Sequence, residues 1–182
     1  MRLNVTVALL AGLLALLPAL GACQREAEAP PAPFAMSDEA MGRYCGMNIL
    51  EHSGPKGQII LAKYDEPIWF SSARDAIAFT MLPEEPKDIR AIYVSDMAKA
   101  PSWEEPGADN WVDARQAFFV IGSDVKSGMG AAEAVPFSKE EAAAAFAGIH
   151  GGRIVRFDEV PRDYILEQQA EGDAKPPAAE VH

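Results

Sequence analysis

A ten-residue pattern in this chain recurs 67 positions later, and that recurrence limits the fold more than any other feature. Phe70-Ser71-Ser72-Ala73-Arg74-Asp75-Ala76-Ile77-Ala78-Phe79 lines up with Phe137-Ser138-Lys139-Glu140-Glu141-Ala142-Ala143-Ala144-Ala145-Phe146, with Phe, Ser, Ala, Ala and Phe at one constant offset. An aromatic residue and a serine ahead of an apolar face at helical spacing read as a helix entry. The spacing predicts a first helix from Ala73 to Met81, capped by Ser71 or Ser72 and ended by Pro83. A second is predicted over 142–149, opened by Ser138 and Glu141 at capping-box spacing and stopped by Gly151-Gly152. Duplication of a strand–strand–helix unit accounts for the match; the alternative is that both segments share only a common way of starting an amphipathic helix.

Strand patterns surround these helices. Tyr44 to Leu50 alternates in part, and the turn-forming Ser53-Gly54-Pro55-Lys56-Gly57 leads to a returning strand in Gln58-Ile59-Ile60-Leu61-Ala62. Pro67-Ile68-Trp69-Phe70, Arg90 to Val94, Arg115 to Ile121 and Arg153 to Phe157 read as further strands, with a loop over 99–110 carrying Trp103. The class is α+β: two related strand–strand–helix halves whose antiparallel hairpins are covered by two helices.

The N-terminus sets the compartment. Arg2 precedes an apolar run that closes on Leu20-Gly21-Ala22-Cys23. A charged start, an apolar stretch and small residues before a cysteine form an export signal of the lipobox type, with residues 1–22 removed and Cys23 lipidated. Pro18 and the shortness of the run argue against a permanent spanning helix. Residues 23–40 are rich in Pro, Ala and Glu without apolar periodicity, and are expected to form a disordered tether. At roughly 3.1 Å per residue, ten to sixteen such residues reach about 30 to 50 Å. Residues 167–182 have similar composition and are expected to be a disordered tail. The folded domain is placed at 41–166.

The formal charge of the chain is −11, and loss of Arg2 with the signal takes it to about −12. Such acidity argues against a nucleic-acid partner and against electrostatic docking on anionic lipid, leaving membrane attachment to the lipid anchor.

Once Cys23 is lipidated, Cys45 is the only free thiol, so this exported domain has no disulfide to make. In a strand, Cys45 and Met47 would present both sulfurs on one face, and the methionine is flexible enough to bring its thioether toward the thiolate. Thiolate plus thioether selects Cu(I). Zinc favours Cys-x-x-Cys or His-x-x-x-His spacings that are absent, and hard cations need clustered carboxylates at loop spacing. A third donor comes from Met129, set between glycines, from His150 at the end of the second helix, or from His52 or Met97. The plain structural readings stay beside these: Cys45 as a small buried hydrophobe, Met129 as a loop methionine, and His150 as a helix-end residue favoured by the dipole.

The lipobox, the Pro-rich tether, Tyr44-Cys45-Gly46-Met47, Tyr93-Val94-Ser95-Asp96, Trp111-Val112-Asp113-Ala114, Met129-Gly130, and Gly151-Gly152 followed by Phe157-Asp158-Glu159-Val160 together resemble the NosL family of copper-binding lipoproteins. The resemblance implies a periplasm-facing Cu(I) chaperone, anchored in the inner or the outer membrane. It would serve assembly of the copper–sulfur centre of nitrous oxide reductase, with a membrane transporter complex as second partner. It also implies a fold similar to part of organomercurial lyase. Carried over by position, the family's site gives Cys45 and Met47, with Met129 at the Met-Gly motif.

Two other classes remain open. A thiol enzyme would need a base beside Cys45, and only His52 is near in sequence. A purely structural adaptor would use Trp103 and Trp111 as anchors and leave Cys45 incidental.

Overall fold

The computed structural model describes residues 29–166. The signal segment, Cys23 and the 167–182 tail lie outside them.

Seven strands and two main helices follow one another as β1 (Gly57–Leu61), β2 (Ile68–Phe70), α1 (Ala73–Met81), β3 (Ile89–Ser95), β4 (Trp111–Asp113), β5 (Phe118–Ile121), β6 (Val135–Phe137), α2 (Glu140–His150) and β7 (Arg153–Arg156). They form two antiparallel sheets with strand orders β2-β1-β3-β4 and β6-β5-β7. In each half the first strand is central, the second pairs on one side, a helix follows, and the next strand returns to the other side. The halves thus share one ββαβ path, and β4 is an addition to the first.

The repeat extends to packing. Phe70 meets Phe79 at 5.5 Å between ring centroids, and Phe137 meets Phe146 at 5.3 Å, the same pair 67 residues on. Each pair joins the second strand to the helix after it, where an aromatic contact adds about 0.5–1.5 kcal/mol to the burial.

α1 begins as expected: the Asp75 N–H donates to Ser72 Oγ at 3.0 Å. α2 does not. Its N-cap position is Lys139, no side chain caps it, and the Ser138–Glu141 box is not formed. The Ser138 N–H instead donates to Asp96 Oδ1 at 2.8 Å, which ties the end of β3 to the start of α2. A second tie is Glu133, fully buried, whose Oε1 accepts the N–H groups of Arg74 and Ala134, both at 2.9 Å. One apolar cluster runs through both halves, joining Ile59, Phe79 and Ile92 to Phe119, Val155 and Ile165.

Two strand expectations change. The strand expected from Arg115 starts at Phe118, because Asp113 closes a turn there, its carbonyl accepting from Gln116 and Ala117. The strand expected over 44–50 is a tight loop followed by a short 3-10 helix, Ile49–Glu51.

The tether expected over 23–40 is also shorter than its composition suggested. Gln58, buried in β1, exchanges two hydrogen bonds with the backbone of Phe34, each 2.9 Å. The Tyr93 hydroxyl donates to Pro31 O at 2.7 Å and the Met36 N–H to Ala108 O at 2.9 Å. Met36 and Ala40 are buried with Ile49 against Trp69 and Trp111. Residues 31–40 are therefore a docked strap.

Candidate metal site

Cys45 lies in a loop closed on itself. The Gly42 N–H donates to Met47 O and the Gly46 N–H to Gly42 O, both at 2.9 Å, and Met41 bridges Asn48 antiparallel. Gly46 adopts φ +65°, a left-handed conformation that breaks any strand at this point. Strand alternation therefore does not set the two side chains on one face; loop closure instead places the Cys45 thiol against the Met47 backbone carbonyl. The half-buried Cys45 thiol points toward Met47 O at 3.8 Å, and the Met47 side chain is 39% exposed.

The loop is fastened from outside. The Arg43 N–H donates to Trp69 O at 2.8 Å. Glu85, in the segment after α1, receives Arg43 Nη2 on one carboxylate oxygen at 3.1 Å and the Tyr44 hydroxyl on the other at 3.2 Å. Burial, with the Glu85 charge beside it, pushes the Tyr44 hydroxyl above the ordinary tyrosine range, so it stays a donor. Both residues preceding Cys45 are thus held by one carboxylate that is 7% exposed.

Past Met47, Asn48 caps the 3-10 helix by accepting from Leu50 N at 2.8 Å, and donates to Asp38 O of the strap at 2.6 Å. His52 follows, with Nε2 buried and without a hydrogen-bond partner. Gly128 lies directly on this segment: a Cβ there would be 2.8 Å from His52 Cβ and 2.8 Å from Ser53 O. The next residue, Met129, is 50% exposed at the tip of a turn in which the Gly130 N–H donates to Ser127 O. Met129 and His52 are therefore brought into one neighbourhood, continuous in chain with the Cys45 loop.

His150 is engaged elsewhere. Its Nδ1 is 3.0 Å from Asp124 Oδ1, its ring packs tilted against Phe146 with centroids 4.5 Å apart, and it lines an apolar cavity of about 290 Å³ with Met97 and Trp103. The histidine that the fold sets beside Met129 is His52.

Glu85 and Gly42 carried no sequence signal; their roles arise from contacts made by the folded chain. Among the described residues no three His, Cys, Asp or Glu side chains gather as a hard-metal site. What the fold offers is soft: a half-buried thiol in a loop with exposed Met47 and, on the segment that follows, a His52 nitrogen without a partner beside the turn that carries exposed Met129, donor types suited to a monovalent soft ion.

The comparisons agree with that chemistry. The NosL family model matches residues 33–165. The copper-binding lipoprotein NosL of Achromobacter cycloclastes is 43% identical over 167 residues, covering 91% of this chain and 85% of that protein. Its counterpart in Stutzerimonas stutzeri is 37% identical over 140 residues, covering 77% and 70%. The crystal structure of the copper chaperone NosL from Shewanella denitrificans superposes with a TM-score of 0.68 at 34% identity, over 73% of this chain and 98% of that one. The chain belongs to the NosL family.

Proposed function

We propose that this chain is a lipoprotein anchored through Cys23 that binds one Cu(I) at the Cys45 loop and hands it on by ligand exchange, without catalysing a reaction. The observation that carries the reading is the placement of the lone thiol: half-buried, yet beside an exposed methionine and reachable from solvent. The names of the relatives, copper-binding lipoprotein and copper chaperone, support the cargo and the anchor.

Cys45 is the anionic donor, and as a thiolate it neutralises the monovalent ion. Binding displaces the thiol proton to solvent. Met47 and Met129 are neutral donors whose flexible side chains can leave and return, and His52 supplies the nitrogen. His150, paired with Asp124, is not needed. Neutral, exposed donors favour transfer, because an incoming ligand can displace a thioether before the ion is released.

The destination in this reading is the copper–sulfur centre of nitrous oxide reductase, reached on the periplasmic side with a membrane transporter complex of the same system. Support for these finer steps is the family resemblance alone.

The test is anaerobic Cu(I) titration against a competing chelator. Near-stoichiometric binding is expected for the wild type and its loss for Cys45→Ser; wild-type affinity in that variant would reject the site. Partner affinity independent of copper loading would favour a bare adaptor instead.

A further inference from the structure

Lys56 is among the most buried side chains of the protein, 1% exposed, although it ends in an ammonium group. Its Nζ donates to three successive carbonyl oxygens, those of His52 at 2.6 Å, Ser53 at 3.1 Å and Gly54 at 2.7 Å. An ammonium has three protons, and here each has an acceptor. Its backbone is fixed too, with the N–H donating to Ser95 Oγ at 2.9 Å and the carbonyl accepting the Ser95 N–H at 3.0 Å.

Three consecutive carbonyls turned toward one cation curl the 52–54 segment around it. Residues 52 and 53 form the inner side of a junction whose outer side is Gly128, close enough that a single added carbon would collide with both. The ammonium therefore determines where His52 lies and how near the Met129 turn can approach. A buried charge is costly unless fully hydrogen-bonded, and an uncharged side chain of similar length would fill the space without gathering the carbonyls.

We propose that Lys56 is a positioning residue of the copper site: it holds His52 and the Met129 turn in register with the Cys45–Met47 loop. This rests on the copper reading above, and the experiment separates the two. In Lys56→Met, prepared in the full chain, Cu(I) still binds through Cys45, but affinity falls at least about tenfold, or about 1.4 kcal/mol. X-ray absorption of the loaded protein then shows loss of the nitrogen donor. In a His52→Ala background the same substitution adds no further loss, since the two act on one interaction. A purely structural role would lower melting temperature while leaving the donor set intact.

A folded Lys56→Met protein with wild-type affinity and an unchanged absorption spectrum overturns the inference, even where Cys45→Ser abolishes binding. Should Lys56→Met not fold, Gly128→Ala probes the same junction from its other side. It is expected to weaken binding with the same spectral change, and wild-type affinity and spectrum in that variant overturn the inference equally. Copper binding that survives Cys45→Ser fails the underlying reading instead.

Discussion

The sulfur of Cys45 lies over the α-carbon of Gly42, so close that a methyl group added there would be 2.6 Å from it. The contact is with the end of a short side chain, which can escape by rotating about χ1. Gly42→Ala is therefore expected to leave the fold nearly intact, costing about 1 kcal/mol or less, while turning the thiol out of its place. Cu(I) affinity should drop at least about tenfold. Chelator competition combined with a thermal melt checks this, and a melt that falls with no change in affinity would show that the thiol's orientation is immaterial.

Glu85 fixes the loop through Arg43 and Tyr44, which flank Cys45 on its N-terminal side. Arg43 is half exposed, so its ion pair alone contributes about 0–1 kcal/mol. The effect of Glu85→Ala should thus be more local than global. The Tyr44 hydroxyl loses its acceptor, the loop opens, and Cys45 is alkylated several-fold faster by iodoacetamide at fixed pH. Equal alkylation rates would mean that the Trp69 backbone contact holds the loop by itself.

A pH effect comes from Glu133. Burial raises its carboxyl from 4.5 to about 8, with the Asp75 charge adding to the rise, while Lys56 and the two N–H donors oppose it. Because the folded-state value lies above the unfolded one, the native protein holds a proton that the unfolded chain has released between those limits. This contribution to stability is complete below about pH 4.5 and is lost as pH rises toward 8, by at most about 1.4 kcal/mol per pH unit. Glu133→Gln keeps the acceptor for Arg74 N and Ala134 N but cannot titrate. Urea unfolding between pH 5 and 8 should show a flatter stability profile for the variant than for the wild type; parallel profiles would contradict the assignment.

How much of this was readable beforehand depended on whether the cause was local. Ser72, Pro83 and the Phe70/Phe79 spacing act within a few residues, and α1 falls where they place it. The Phe137/Phe146 copy located α2, but the helix enters one residue later, at Lys139, and Ser138 is joined through its backbone N–H to Asp96, 42 positions earlier in the chain. β4 and β6 are three residues each, too short to show alternation, and Pro136 marks β6 as an edge strand only once its partner is known. At the site, the donor types were legible in Cys45, Met47 and Met129. The choice of histidine was not, because the contact that sets His52 beside the Met129 turn is made with Gly128, 76 residues away. The strap is not legible because its residues carry no periodicity: what holds them is a set of contacts with distant residues, Gln58, Tyr93, Ala108 and the Ile49 cluster, which composition does not reveal.

That glutamine supplies the last prediction. With residues 31–40 docked, only residues 24–30 separate Cys23 from Pro31, and seven residues span at most about 25 Å. Undocked as far as residue 40, the tether has seventeen, more than doubling its reach. Gln58 makes two of the strap's hydrogen bonds and is wholly buried, so Gln58→Ala removes both and leaves the Phe34 backbone groups to solvent. The expected cost is about 1–3 kcal/mol, concentrated in the strap, whose remaining ties are the Tyr93–Pro31 and Met36–Ala108 hydrogen bonds, the bonds that the Asp38 and Ala40 carbonyls accept from Asn48 and Ile49, and the apolar contacts of Met36 and Ala40. Limited proteolysis followed by mass spectrometry should show new early cleavage within 31–40, with the domain from residue 41 onward still resistant. A cleavage pattern identical to the wild type would mean that Met36, Ala40 and the Tyr93 contact suffice, and that the short leash does not depend on Gln58.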